Sequence, residues 1–159
     1  MNLDRQIQSL IDGAPDVESR MSVMAIAPVL QQVAVTLPYP EYYICQSPQG
    51  EWAITTLRHR QQPDLEIQAI YAFKRVEDIR IVDPEALTIG VAVKMPIVQI
   101  LFDLIAFAQI DRVIFFNDSQ QLKRGQEISR IDLETAIVWE LQQSANPAQP
   151  NSILPPDIC

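Results

Sequence analysis

From Pro96 to Gln109 the chain is apolar on nearly every side, with Ile97, Val98, Ile100, Leu101, Phe102, Leu104, Ile105 and Phe107 in one run. A helix without a polar face is stable only where it is covered all round. Pro96 suits the first turn of such a helix, because its missing N–H would have no partner there anyway. The stretch Met95 to Ile110 also holds Gln99 and Asp103 and is shorter than the roughly 20 residues that span a bilayer. The segment is therefore read as the buried central helix of a water-soluble domain.

Its flanks supply the elements that cover it. Leu3, Ile7, Leu10 and Ile11 repeat at helical spacing, with Asn2 available as a cap and Gly13 and Pro15 as a stop. Val23, Ile26, Leu30, Val33 and Leu37 predict a second helix over about Ser22 to Thr36, which Pro28 either starts or kinks. Tyr42–Gln46 and Trp52–Leu57 are rich in β-formers and flank Ser47-Pro48-Gln49-Gly50, a hairpin pattern. Leu65 to Phe73 alternates as a third strand, and Thr88 to Val93 is read as a fourth, interrupted by Gly90. Val76 to Val82 fits neither period. Arg112 to Phe116 reads as a buried strand, and Glu127-Ile128 as a short one after the Lys123-Arg124-Gly125 bend. Ser129 to Gln143 predicts a last helix, capped by Ser129, with Ile131, Thr135, Val138 and Trp139 at helical spacing.

Together these predict one α+β domain over residues 1–145. It has a mainly antiparallel sheet of four to six strands, helices packed on one face, and one buried central helix. Residues 146–159 hold four prolines and read as a Pro-rich disordered tail. The element order across about Ser22 to Gln143 resembles that of the small chaperones that serve secreted effectors. That resemblance lies in order alone and implies a protein-binding role only by analogy.

Charge and cysteines narrow the function classes. The net charge is −8, and the basic residues are scattered in ones and twos, a poor match to a phosphate backbone, so no nucleic acid is expected. Cys45 sits in a strand and Cys159 ends the chain; neither belongs to a Cys-x-x-Cys pair, so a reducing, cytoplasmic compartment is expected. Met1 to Arg20 contains acids and no apolar core, the pattern of a chain without a signal peptide.

Chemistry has few footholds. Gly13, Gly50, Gly90 and Gly125 stand alone, so no phosphate-cradling loop and no Gly-x-Ser-x-Gly elbow can be written. One histidine and two remote cysteines do not suit zinc, and neither Asp78, Asp83 and Glu85 nor Asp111, Asn117 and Asp118 have the spacing of a calcium loop. No metal and no cofactor is expected. Arg58, His59 and Arg60 form a weak anion-binding corner, with three solvated side chains as its plainer reading. Asp103 is either a proton-transfer group or a residue on the helix's one wet stripe. Tyr39, Tyr42, Tyr43 and Trp52 gather around the hairpin and suggest a contact with another protein, or with a second copy, since Tyr and Trp join a large apolar body to a polar tip. The expected function is a non-enzymatic protein-binding or assembly domain. Its rival is a ligand-binding or enzymatic pocket between the sheet and the central helix.

Overall fold

A computed structural model of the chain describes residues 2–58, 61–62 and 64–145. In chain order it contains α1 (Leu3–Asp12), α2 (Val17–Ala34), β1 (Glu41–Gln46), β2 (Thr55–Arg58) and β3 (Glu66–Phe73). Two short helices follow, α3 (Val76–Val82) and α4 (Ala86–Ile89), then β4 (Val91–Pro96) and α5 (Ile97–Ala106). The series closes with β5 (Arg112–Phe116), β6 (Gln126–Ser129) and α6 (Arg130–Ala145). The fold is α+β, as the sequence predicts; residues 146–159 lie outside the described residues.

The strands form one mixed sheet in the order β4-β1-β3-β5-β6, with β2 also on β3. Only β3 and β5 run parallel among these pairs, with Ala69 opposite Arg112 and Phe73 opposite Phe116. Side chains alternate across the sheet, as a two-residue period demands. Tyr42, Ile44, Ile70, Ala72, Val113 and Phe115 point to one face, where they meet Leu3, Leu30, Ala34, Ile97, Leu101, Leu104, Leu133 and Ile137 from α1, α2, α5 and α6. Cys45, Ala69, Phe73, Ile114 and Phe116 point to the other, where Ile79 of α3 and Ala86 and Leu87 of α4 join them. Phe73 and Phe116 stack there with ring centroids 5.0 Å apart.

Helix α5 is where the run of apolar residues put it. Ile97, Val98, Ile100, Leu101 and Leu104 of α5 are buried, and the helix packs against α1, α2 and α6. Its start is tied down by Gln6, whose Oε1 accepts from Val98 N–H at 3.0 Å while its Nε2 donates to the Pro40 carbonyl at 2.9 Å.

Four local readings change. The 47–50 segment does turn, with Gly50 N–H donating to Ser47 O at 2.9 Å and Gly50 at φ 86°, a conformation that suits glycine. It does not join two paired strands, however. After the single Gln46–Trp52 bridge the chain reverses again, so β1 and β2 both lie antiparallel to β3, in line along the same edge. The eight-residue β3 is long enough to template both. Val76–Val82 is a helix, and the strand expected at Thr88–Val93 begins only at Val91, because Ala86–Ile89 forms a helical turn. Helix α2 starts earlier than its buried face suggested: Asp16 caps it, its carboxylate accepting from Ser19 N–H at 2.7 Å. That bond holds the Asp16 carboxyl below its usual range. The helix then runs unbroken through Pro28.

Gly90 marks the close approach of α4 to the sheet. A Cβ there would lie 2.8 Å from Ala86 O and 2.9 Å from Gln46 O, both backbone atoms with little freedom to move. Gly90→Ala is expected to cost about 1–3 kcal/mol, the usual range for an overpacked site, read as a lower urea midpoint. An unchanged midpoint would mean that α4 does not pack there.

Candidate functional site

One feature that packing leaves unexplained is on the helical layer. In α2, Val23, Ala27, Leu30 and Ala34 turn inward. Val17, Met21, Met24, Pro28 and Val35 recur at helical spacing on the opposite side, and all five are exposed. Val17, Met21, Met24 and Val35 each keep more than half of their surface in water. Helix α6 repeats the arrangement. Leu133 and Ile137 are buried, whereas Ile131 and Val138, two turns apart, face outward with Trp139, which is 60% exposed. The two helices pack against each other and both against α5.

The pattern that predicted α6 is thus its outer face. Ile131, Thr135, Val138 and Trp139 do lie at helical spacing, but the residues that anchor the helix are Leu133 and Ile137. A helix apolar on two opposite sides is built to be covered on both. Exposed apolar residues scattered singly need no explanation; a stripe along a helix does.

The four aromatics expected to meet a partner do not form one surface. Tyr42 is fully buried; its hydroxyl donates to Asn117 Oδ1, and burial holds its phenol well above the usual range. Tyr39 is half-buried against Tyr42, with centroids 6.0 Å apart, and Lys74 Nζ stands 5.3 Å from its ring. Tyr43 packs on the opposite sheet face. Trp52 is half-buried edge-on to Phe107 at 5.4 Å. Of the anion corner, Arg58 pairs with Glu66 at 3.0 Å across β2 and β3; His59 and Arg60 lie outside the described residues.

Of the groups considered for metal, Asp111, Asn117 and Asp78 are spent on architecture. Asp111 accepts from Gln68 N–H at 2.8 Å while its own N–H returns a bond to Gln68 O. Asn117 Nδ2 donates to Gln126 at 3.1 Å. Asp78 is completely buried and accepts from Ser119 Oγ at 2.8 Å and Arg75 at 3.2 Å, fastening the loop after β5 to α3. No group of three or more His, Cys, Asp or Glu able to hold a metal occurs among the described residues.

Asp103 lies one turn from Gln99, whose Nε2 donates to it at 2.8 Å. Burial raises its pKa, and the Gln99 bond opposes the rise. An acid with a higher pKa folded than unfolded stabilises the fold below its unfolded value of ~3.9 and loses that contribution as pH rises through the folded value. At neutral pH the ionised carboxylate is therefore a cost. Asp103→Asn, which keeps an acceptor for Gln99, should raise the urea midpoint at pH 7, and the gain should vanish as the pH falls to about 3. Equal midpoints at pH 7 would contradict the burial.

Between α1, α2 and α5 lies a cleft of about 470 Å³, lined among others by Leu10, Val23, Ile26, Phe102, Ser19 and Gln99. No ionisable side chain is among its lining residues. A neighbouring cleft of about 390 Å³ shares Ser9, Leu10 and Gln99 with it and adds Arg5 and Glu41. Both open at the helical surface, whereas the space between the sheet and α5 is filled by Leu101, Leu104, Ile70 and Phe115, all at zero exposure.

No protein-family model, no curated protein and no solved structure matches the chain. The resemblance to small effector chaperones stays one of element order. Among the described residues no helix is long and apolar enough to cross a membrane.

Proposed function

We propose that the domain binds another protein through the outer face of α2 and α6. What supports this is the pair of apolar stripes that turn away from a core already complete without them. Water penalises exposed apolar area by roughly 25 cal/mol per Å², and a partner that covers the stripes removes that penalty. Trp139 is 60% exposed, and Trp is a residue type favoured as an interface anchor. The reading keeps the binding role expected from the sequence and moves its centre from the strand aromatics to the helical layer. The buried free thiol of Cys45 suits a reducing, cytoplasmic setting.

Site-specific photocrosslinking tests the placement. A photoreactive residue at position 139 in the full chain should give a discrete adduct in native extract that Val138→Glu abolishes. The same residue at position 43 should not. Adducts from position 43 alone would return the site to the strand aromatics; adducts from neither would remove the binding role.

A further inference from the structure

We infer that the open edge of β6 takes an extended peptide segment of another protein, added as a further strand, with a Lys or Arg side chain turned toward the helical layer. This surface is separate from the outer face of α2 and α6 and does not depend on the role proposed for it. The path of the sheet ends on β4 and on β6. In an antiparallel ladder, successive residues direct their backbone N–H and C=O alternately toward the paired strand and away from it. Arg130 N–H donates to Asp111 O at 2.8 Å, and Arg112 stands opposite Ser129, so Gln126 and Ile128 spend their backbone bonds on β5. Glu127 and Ser129 turn theirs outward. The Ser129 carbonyl opens α6, which leaves the Glu127 N–H and C=O and the Ser129 N–H without a backbone partner among the described residues. Such a row is what an added strand pairs with.

The β4 end is protected against such an addition. Ile97 N–H bonds Pro40 O at 2.9 Å, and the same alternation puts Lys94 and Pro96 at outward positions of β4. A lysine and a residue without an N–H are common protections of an edge. β6 has neither, and a groove of about 440 Å³ lies beside it on the helical side, lined among others by Val33, Thr36, Ile128, Asp132 and Leu133. Every second side chain of an added strand would face that groove. No Lys or Arg lines it. Of its two acids, Glu127 is answered by Arg112 at 2.6 Å, whereas the carboxylate of exposed Asp132 has no partner among the described residues. A lysine or arginine lays an apolar stem along a surface and keeps its charge at the rim, which fits Val33 and Ile128 beside Asp132. A second copy adding β6 to β6 in the register of greatest overlap would set Glu127 opposite Glu127, and like charges directly opposite are destabilising. Residues 146–159 contain no Lys or Arg, and their four prolines lack the donors an edge needs.

The test follows amide hydrogen exchange by NMR in the full chain, with two peptides of about seven residues, longer than the four-residue β6. Both alternate Thr and Val; one has Lys at its centre and the other Glu. Without peptide, the Glu127 amide should exchange rapidly while that of Ile128 is protected. A tenfold excess of the Lys peptide over its Kd should slow exchange at Glu127 about tenfold. The Lys peptide should bind at least about tenfold more tightly than the Glu peptide, a gap that Asp132→Asn closes. Glu127→Pro removes an N–H that the fold does not use, and should abolish binding while leaving the urea midpoint in place. Should that variant fail to fold, exchange at Glu127 in the unaltered chain still decides.

Binding of neither peptide, or binding that leaves exchange at Glu127 unchanged, would overturn the strand addition. Equal affinity for the two peptides would overturn the basic side chain. A concentration-dependent doubling of mass that Glu127→Pro abolishes would give the edge to a second copy. Displacement of the Lys peptide by a synthetic 146–159 peptide would give it to the chain's own tail. Each of these results would overturn the inference, and none of them bears on the adduct expected at position 139.

Discussion

Phe115→Ala should lower the stability of the fold by about 3–5 kcal/mol, the range for deleting a fully buried aromatic ring. Phe115 is at zero exposure, on a strand held by β3 on one side and β6 on the other. Its ring meets Tyr42 at 4.9 Å, and Tyr42 is fixed in turn by Asn117. Neither the backbone nor the neighbouring ring is free to collapse into the vacated space, so the cavity persists and the cost falls at the upper end. Urea unfolding should show a lower midpoint with an unchanged slope. A loss under about 1 kcal/mol would mean that the helical layer does not close over this face of the sheet.

Leu101→Ala should cost about 2–5 kcal/mol. Leu101 lies on the buried side of α5, among residues from α1, α2, α6 and the sheet. Two residues further on, Asp103 falls on the wetter side, where its replacement by Asn is expected to stabilise at neutral pH. Opposite outcomes two positions apart would fix the rotation of α5 about its own axis. A small loss at Leu101 would show the helix to be turned or uncovered.

The sequence was most legible where one physical demand dominated. The run Ile97 to Phe107 had nowhere to go but inside, and Arg112–Phe116 became a strand over its expected residues because both of its faces are covered. Leu65–Phe73 showed its period directly. The hairpin was misread because Ser47-Pro48-Gln49-Gly50 reports a turn without reporting which strand the chain joins afterwards. That choice belongs to β3, whose pairing is distant in sequence. Val76–Val82 hid its helix in a length too short for a period to show, and its anchor, the bond from Ser119 to Asp78, lies far along the chain.

The candidate face was missed for a different reason. In α6 the outward residues Ile131, Val138 and Trp139 gave the pattern, and periodicity reports a stripe and not the direction in which it points. In α2 the expected start at Ser22 left out Val17 and Met21, two of the five residues of the outer stripe. Asp16 followed by Ser19 was the available signal: a capping aspartate with its acceptor bond three residues on moves the start back and brings Val17, Met21 and Met24 into one line. Tyr42 is the converse: the sequence offers it as a contact residue, and the structure buries it completely.

The outward orientation of α6 is tested most directly by the fluorescence of Trp139 in the full chain carrying Trp52→Phe. With 60% of its surface in water, Trp139 should emit close to free tryptophan in aqueous solution and be quenched readily by iodide. It should turn blue and protected only when a binding peptide is added. A blue, iodide-protected emission from the isolated monomer would contradict the arrangement, because Trp139 would then be packed inside and the α2–α6 face would not exist.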